Sequence, residues 1–201
     1  MQSTISSTRR RAAVVVGTCL ALLIAPAGRA NATDPLSARM TDCFGNTHYV
    51  WEVTYAVSGV ETWGTNGSDV IIGTNGPDVI DGFGASDIIC GGDGNDEIHG
   101  NADDVEQDRD YIDGENGNDT IYGWGGDDVL RGGAMDDTIY GWTGDDEIHG
   151  GPGDDTIYAA DGRDTVQCDN GQDYADGGND HDSFSGTPGI NGGCENYPNF
   201  P

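Results

Sequence analysis

Aspartate returns at a fixed interval through most of this 201-residue chain. Asp69, Asp78, Asp87 and Asp96 are nine residues apart, and so are Asp110, Asp119, Asp128, Asp137, Asp146, Asp155, Asp164, Asp173 and Asp182. Only the step from Asp96 to Asp110 is longer, by five residues. Glycines cluster just ahead of each aspartate, so carboxylates and loop carbonyls are offered together. Carboxylates stacked at close spacing repel one another in a low-dielectric setting, and a divalent cation between successive loops removes the repulsion. Oxygen-only ligands at flexible sites suit Ca²⁺ rather than Zn²⁺ or Mg²⁺. These thirteen aspartates are the candidate metal ligands. Catalysis finds little support, because His48, His99, His149 and His181 are scattered over different segments. There is no Gly-x-Ser-x-Gly elbow and no His-Glu-x-x-His pair, so we expect no enzyme and no catalytic residue.

The elements that position the aspartates are themselves periodic. Clear copies of the repeat are Gly91-Gly92-Asp93-Gly94-Asn95-Asp96-Glu97-Ile98-His99 and Gly150-Gly151-Pro152-Gly153-Asp154-Asp155-Thr156-Ile157-Tyr158. Thirteen such repeats start at 64, 73, 82, 91, 100, 114, 123, 132, 141, 150, 159, 168 and 177. Asp is sixth in all of them, Asp110 only if the extra residues sit within the turn. The eighth residue is Ile, Leu or Val except at Ala175 and Phe184. The tail, Asp-x-Ile-x, alternates polar and apolar as a half-buried strand does. The head, Gly-x-x-Gly-x-Asp, is a turn in which glycine permits backbone angles closed to other residues. Strand plus turn makes half a coil, so residues eighteen apart stack as neighbouring parallel strands, about 4.8 Å apart. Asp128, Asp146, Asp164 and Asp182 then line one edge, and Asp119, Asp137, Asp155 and Asp173 the other.

This nonapeptide resembles the RTX, or haemolysin-type calcium-binding, repeat, Gly-Gly-x-Gly-x-Asp-x-aliphatic-x. The resemblance covers residues 64–185. It implies an all-β fold: a right-handed parallel β-roll (a β-solenoid) of about thirteen nonapeptide half-coils, with several Ca²⁺ ions held between loops on both edges. Thirteen stacked loops offer at most eleven inter-loop sites. Some loops depart from the pattern: Ala85, Met135 and Asp180 replace the second glycine, and Ala159 and Cys168 the first. Acids of the insertion 103–109 are further potential ligands. The loops that keep the pattern best end in Asp96, Asp119, Asp128, Asp146 and Asp155.

Composition bounds the rest. Thirty-six acids against eight basic residues give a net charge of −28, and only 35% of residues are hydrophobic. The first 32 residues read as a cleaved signal peptide: a basic run Arg9-Arg10-Arg11, an apolar stretch Ala12 to Ala25, and Ala30-Asn31-Ala32 as the cleavage pattern. The apolar stretch is too short for a membrane span. General secretion and twin-arginine export both remain open, plain secretion being the preferred reading. Residues 33–201 would keep four arginines against 36 acids, 4 − 36 = −32, which opposes compaction unless cations neutralise it. Nucleic acid and anionic membrane are excluded as partners on the same ground. In an oxidising compartment Cys43, Cys90, Cys168 and Cys194 allow three connectivities; we expect Cys43–Cys90 and Cys168–Cys194 as staples at the two ends, with free thiols as the alternative.

The organisation expected is therefore a leader (1–32), an N-terminal cap strand (33–63, with His48 to Val57 as the strand), the roll (64–185) and a C-terminal cap (186–201). The chain reads as a secreted, extracellular calcium-binding protein whose non-catalytic roll folds on Ca²⁺. Two surface features carry an alternative. Thr120-Ile121-Tyr122, Thr138-Ile139-Tyr140 and Thr156-Ile157-Tyr158 recur at eighteen-residue spacing, and Trp124 and Trp142, with Phe83, share one position on the opposite row of loops. Such ladders suit a surface or adhesion protein that binds glycan or a partner protein, or else cross-strand pairing within the sheet.

Overall fold

The computed structural model describes residues 38–41, 47–50, 54–57, 59–101, 108–186 and 194–195. The expected leader, Cys43, residues 102–107 of the insertion and most of the C-terminal segment lie outside the described residues. Strands β1 (Ala38–Thr41) and β2 (Thr47–Val50) form an antiparallel pair. All other strands belong to two eight-stranded parallel sheets. Sheet one runs β3 (Thr54–Tyr55), β5 (Val70–Ile72), β7 (Ile88–Asp93), β9 (Tyr111–Asn116), β11 (Val129–Arg131), β13 (Glu147–His149), β15 (Thr165–Gln167) and β17 (Ser183–Ser185). Sheet two runs β4 (Thr62–Trp63), β6 (Val79–Asp81), β8 (Glu97–His99), β10 (Thr120–Gly125), β12 (Thr138–Thr143), β14 (Thr156–Asp161), β16 (Asp173–Asp176) and β18 (Cys194–Glu195). The chain thus alternates between sheets at every loop, which is a parallel β-solenoid. No helix occurs among the described residues.

The register follows the repeat. Tyr111 pairs with Val129 and Thr138 with Thr156, eighteen residues apart, whereas Ile88 pairs with Tyr111 across 23. The five extra residues are therefore absorbed in the loop between β8 and β9, and Asp110 keeps its place in the column. The thirteen repeats become β5 to β17. The expected single strand 48–57 is instead divided. β2 spends its backbone groups on β1, while Thr54 and Tyr55 join the roll beside Ile71 and Ile72. Ala56 donates its N–H to the Ile72 carbonyl at 2.8 Å and is buried in the core.

The core is one residue wide. Ile71, Ile89, Ile112, Leu130, Ile148 and Val166 reach in from sheet one, and Ile80, Ile98, Ile121, Ile139, Ile157 and Ala175 from sheet two; each is 0% exposed. Each Ile contributes roughly 1.5–3 kcal/mol by leaving water. Because every core residue touches its neighbours one coil away, a gap in this seam has little chain around it to relax. Beyond the seam, at both edges, lie the aspartates.

Candidate metal centre

The odd-numbered loops place Asp69, Asp87, Asp110, Asp128, Asp146, Asp164 and Asp182 along one edge, and the even-numbered loops place Asp78, Asp96, Asp119, Asp137, Asp155 and Asp173 along the other. They point into the roll rather than out of the loops. From Asp78 to Asp173 none is more than 3% exposed. From Asp87 onward one oxygen of each carboxylate is tied to the coil before it, whereas Asp78 Oδ1 is buried without a partner. The backbone N–H of each aspartate donates to Oδ1 of the aspartate one coil further on, at 2.7–3.1 Å in all eleven steps. Two hydrogen-bonded columns thus run the length of the roll.

The second oxygen has no such partner. In ten of these residues (Asp87, Asp96, Asp110, Asp119, Asp128, Asp137, Asp146, Asp155, Asp164 and Asp173) Oδ2 is buried and accepts no hydrogen bond. A buried charge without partners is expensive. These oxygens face a small cradle. A Cβ placed on Gly91 would lie 2.7 Å from Asp96 Oδ2 and 2.7 Å from the carbonyl oxygen of Gly114, one coil on. The same two kinds of oxygen would crowd a Cβ on Gly64, Gly82, Gly100, Gly114, Gly123, Gly132, Gly141 and Gly150. Glycine is required at the head of these repeats because oxygens from two coils converge there. Asp164 and Asp173 differ, since Ala159 and Cys168 put side chains into the core at that position.

The loops ending in Asp69 and Asp78 form a separate class. Thr65 N–H and Thr65 Oγ1 donate to Asp69 Oδ2 at 2.6 and 2.9 Å, and Thr74 N–H donates to Asp78 Oδ2 at 2.6 Å. Nothing at the sixth position foretells this; the signal is a threonine at the second. The insertion contributes one described acid to the odd edge. Asp108 is 4% exposed; its Oδ1 accepts from Ser86 Oγ at 3.1 Å, and its Oδ2 is buried without a partner.

Electrostatics agree with the burial. Desolvation raises the Asp128 carboxyl to about 9, with Asp110, Asp146 and Asp108 adding like-charge repulsion. Asp87, Asp137 and Asp146 are pushed to about 8; Asp110, Asp119 and Asp155 to about 7; Asp96 and Asp164 to about 6. Burial is the largest cause in each, opposed by the N–H bond to Oδ1. Without a cation many of these groups hold protons near neutral pH. A hard cation in the cradles fits the donor set, which is oxygen alone. Among the described residues no three Asp, Glu, His or Cys side chains converge as a metal-holding group, so a bound ion must draw on backbone carbonyls too.

Other surface groups are arranged differently. Sheet two carries a face-to-face stack of His99, Tyr122, Tyr140 and Tyr158, with ring centroids 4.6, 5.0 and 5.2 Å apart and planes within 9° of parallel. Trp124 and Trp142 stack at 5.2 Å and stand next to the tyrosines, Trp124 lying 6.3 Å from Tyr122. Within each stack the inner ring faces are covered by the next ring and the edges look outward. That geometry favours cross-strand pairing over a sugar platform, which needs open ring faces. His99 was not foreseen as part of this stack. Sheet one bears a cavity of about 260 Å³ lined by Asp113, Arg131, His149 and Asp169 beside three glycines, with no hydroxyl or thiol nucleophile in its wall. Cys168 and Cys194 are joined as expected. Cys90 is disulfide-bonded as well, to a partner outside the described residues.

Four copies of the RTX calcium-binding nonapeptide repeat are recognised in the chain, at residues 63–98, 82–104, 106–139 and 131–166. No curated relative matches it.

Proposed function

The chain belongs to the RTX calcium-binding nonapeptide repeat family, which binds Ca²⁺ in a β-roll, and on that premise we propose that its two buried aspartate columns hold several Ca²⁺ ions whose binding drives the roll to fold. The observation that carries this reading is the row of ten buried Oδ2 atoms without partners, eight of them converging with a carbonyl of the next coil on a glycine. Asp87, Asp96, Asp110, Asp119, Asp128, Asp137, Asp146 and Asp155 are the ligands this geometry favours, one for each of the eight glycine cradles whose Oδ2 has no partner. The ninth cradle, at Gly64, holds Asp69 Oδ2, which Thr65 already bonds. Asp164, Asp173 and Asp182 are weaker candidates, since their loops lack the glycine head or a following coil. Bound Ca²⁺ supplies positive charge where carboxylates are otherwise forced to keep protons. The chain's residues do the rest: Oδ1 holds each carboxylate in line, glycine leaves room, and the Ile seam joins the two edges.

A net charge of −28 on a one-residue-wide core supports coupling between ion binding and folding, because compaction brings the carboxylates together. The fold is of a kind that typically serves structure rather than catalysis, and we read this chain as non-catalytic. Residues 1–32 are taken as a leader removed on export, 33–63 and 186–201 as caps, and the external medium as the source of calcium. Isothermal titration of residues 33–201 with Ca²⁺ tests the assignment. About eight ions with proton release is the expected result. Binding of none or one, or binding unaffected by Asp→Asn changes in the columns, would remove the assignment.

A further inference from the structure

The second residue of each loop falls into two conformational classes, and the classes coincide with the state of the aspartate below. In eleven loops this residue has positive φ: Phe83, Asn101, Glu115, Trp124, Trp142, Ala160 and Asp169 between 52° and 86°, and Gly92, Gly133, Gly151 and Gly178 between 83° and 113°. In the other two loops it is Thr65 and Thr74, which are not among the positive-φ residues. A β-branched side chain strongly disfavours the left-handed region. The backbone N–H of each threonine instead turns inward and donates at 2.6 Å to Oδ2 of its own Asp69 or Asp78. Every unpartnered Oδ2 of the columns belongs to a loop of the left-handed class, and neither threonine loop has one.

We propose that the residue at the second position decides whether a loop takes an ion, and that Thr65 and Thr74 make the first full coil of the array calcium-independent. In those loops a backbone N–H occupies the coordination that Oδ2 offers a cation elsewhere. An Oδ2 held by a protein donor needs no metal as its partner; in the Thr74 loop the buried atom without a partner is Asp78 Oδ1 instead. The coil formed by β5 and β6 therefore keeps its loop geometry with or without Ca²⁺, and presents Ile71 and Ile80 as a fixed seat for the coils whose loops await ions. The determinant is the β-branched backbone preference, not the hydroxyl, because the bond common to both loops comes from N–H. The threonine hydroxyls differ: Thr65 Oγ1 reaches Asp69, whereas Thr74 Oγ1 donates to the Gly76 carbonyl at 3.0 Å.

This inference rests on the calcium reading above, and its test separates the two. Calcium stoichiometry is measured by isothermal titration for residues 33–201 in three forms: unaltered, Thr65→Gly/Thr74→Gly, and Thr65→Val/Thr74→Val. Glycine stands naturally at this position in four loops, so the first variant is compatible with the fold. The glycine variant should bind two more ions than the unaltered chain. The valine variant should bind the same number, since it keeps both the N–H and the β-branch. An unchanged count in a folded glycine variant, or a raised count in the valine variant, overturns the inference while leaving calcium binding intact. Absence of binding in all three overturns both readings.

Discussion

Replacing Asp137 by asparagine separates the two tasks that the structure gives each column carboxylate. Oδ1 of Asp137 accepts the Asp119 N–H at 2.8 Å, and an amide oxygen can take over that bond. Oδ2 is buried without a partner beside the Gly132 cradle, where the carbonyl of Gly150 also points; there the substitution exchanges an anionic oxygen for an NH₂ group. Burial first, then Asp119, Asp155 and Asp136, push the Asp137 carboxyl up to about 8. Two ionised carboxylates one coil apart, at about 4.8 Å, repel by roughly 3.5 kcal/mol at an effective dielectric of ~20. Asp137 has two such neighbours in its column, so Asp137→Asn relieves at most about 7 kcal/mol of repulsion in the ion-free roll above pH 9. It should therefore bind one ion fewer yet need less calcium to fold at alkaline pH. Asp137→Ala loses the same ion and also strands the buried Asp119 N–H, at a further cost of about 1–3 kcal/mol. Titration calorimetry gives the ion count, and urea unfolding at saturating Ca²⁺ gives the stability. Should Asp137→Asn bind as many ions as the unaltered chain, Oδ2 is not a ligand. Should asparagine and alanine prove equally stable, the Oδ1 column carries no load.

Three further outcomes follow from the same geometry. Ile139→Ala opens a cavity in a seam with little freedom to collapse, so it should cost about 2–5 kcal/mol in urea unfolding at saturating Ca²⁺ without altering the number of ions. The raised carboxyl values favour the ion-free roll at low pH: their contribution is fully present below the ordinary value of 3.8 and is lost as pH rises through about 6 for Asp96 to about 9 for Asp128. Chelated protein should hence gain β-structure by circular dichroism on acidification to about pH 4, and calcium affinity should climb between pH 6 and 9. The Cys168–Cys194 bond closes 26 residues, worth about 3 kcal/mol; Cys194→Ser should expose β16 and β17 to hydrogen exchange while β10 and β12 stay protected.

Most of the architecture was legible in the spacing. The Asp column and the Ile column are both nine-residue periods, and together they dictate alternation between two sheets, the eighteen-residue register and the position of Asp110. The end structures were less legible, because β1 pairs with β2 through backbone groups that leave no periodic trace in Thr47–Val50. The site was legible in residue type but not in its workings. Nothing in a carboxylate's sequence position says that Oδ1 will join its neighbour's N–H while Oδ2 is left open. Loops that depart from the pattern, with Ala85 or Met135 in place of the second glycine, still present Asp87 and Asp137 in the common geometry, because Ala85 and Met135 adopt there a positive φ of 65° and 86°. The one readable sign overlooked was the β-branched Thr65 and Thr74, whose backbone preference sets their loops apart. His99 joined the tyrosine stack because its ninth position pairs with Tyr122 one coil on.

The claim that Ca²⁺ in the aspartate columns folds this roll is tested most directly by far-ultraviolet circular dichroism of residues 33–201, first chelated, then titrated with Ca²⁺ and separately with Mg²⁺. A transition from coil to β-structure with Ca²⁺, absent with Mg²⁺ at equal concentration, is the predicted result. A chain already fully β-structured under chelation at neutral pH, with no change on adding Ca²⁺, would contradict it.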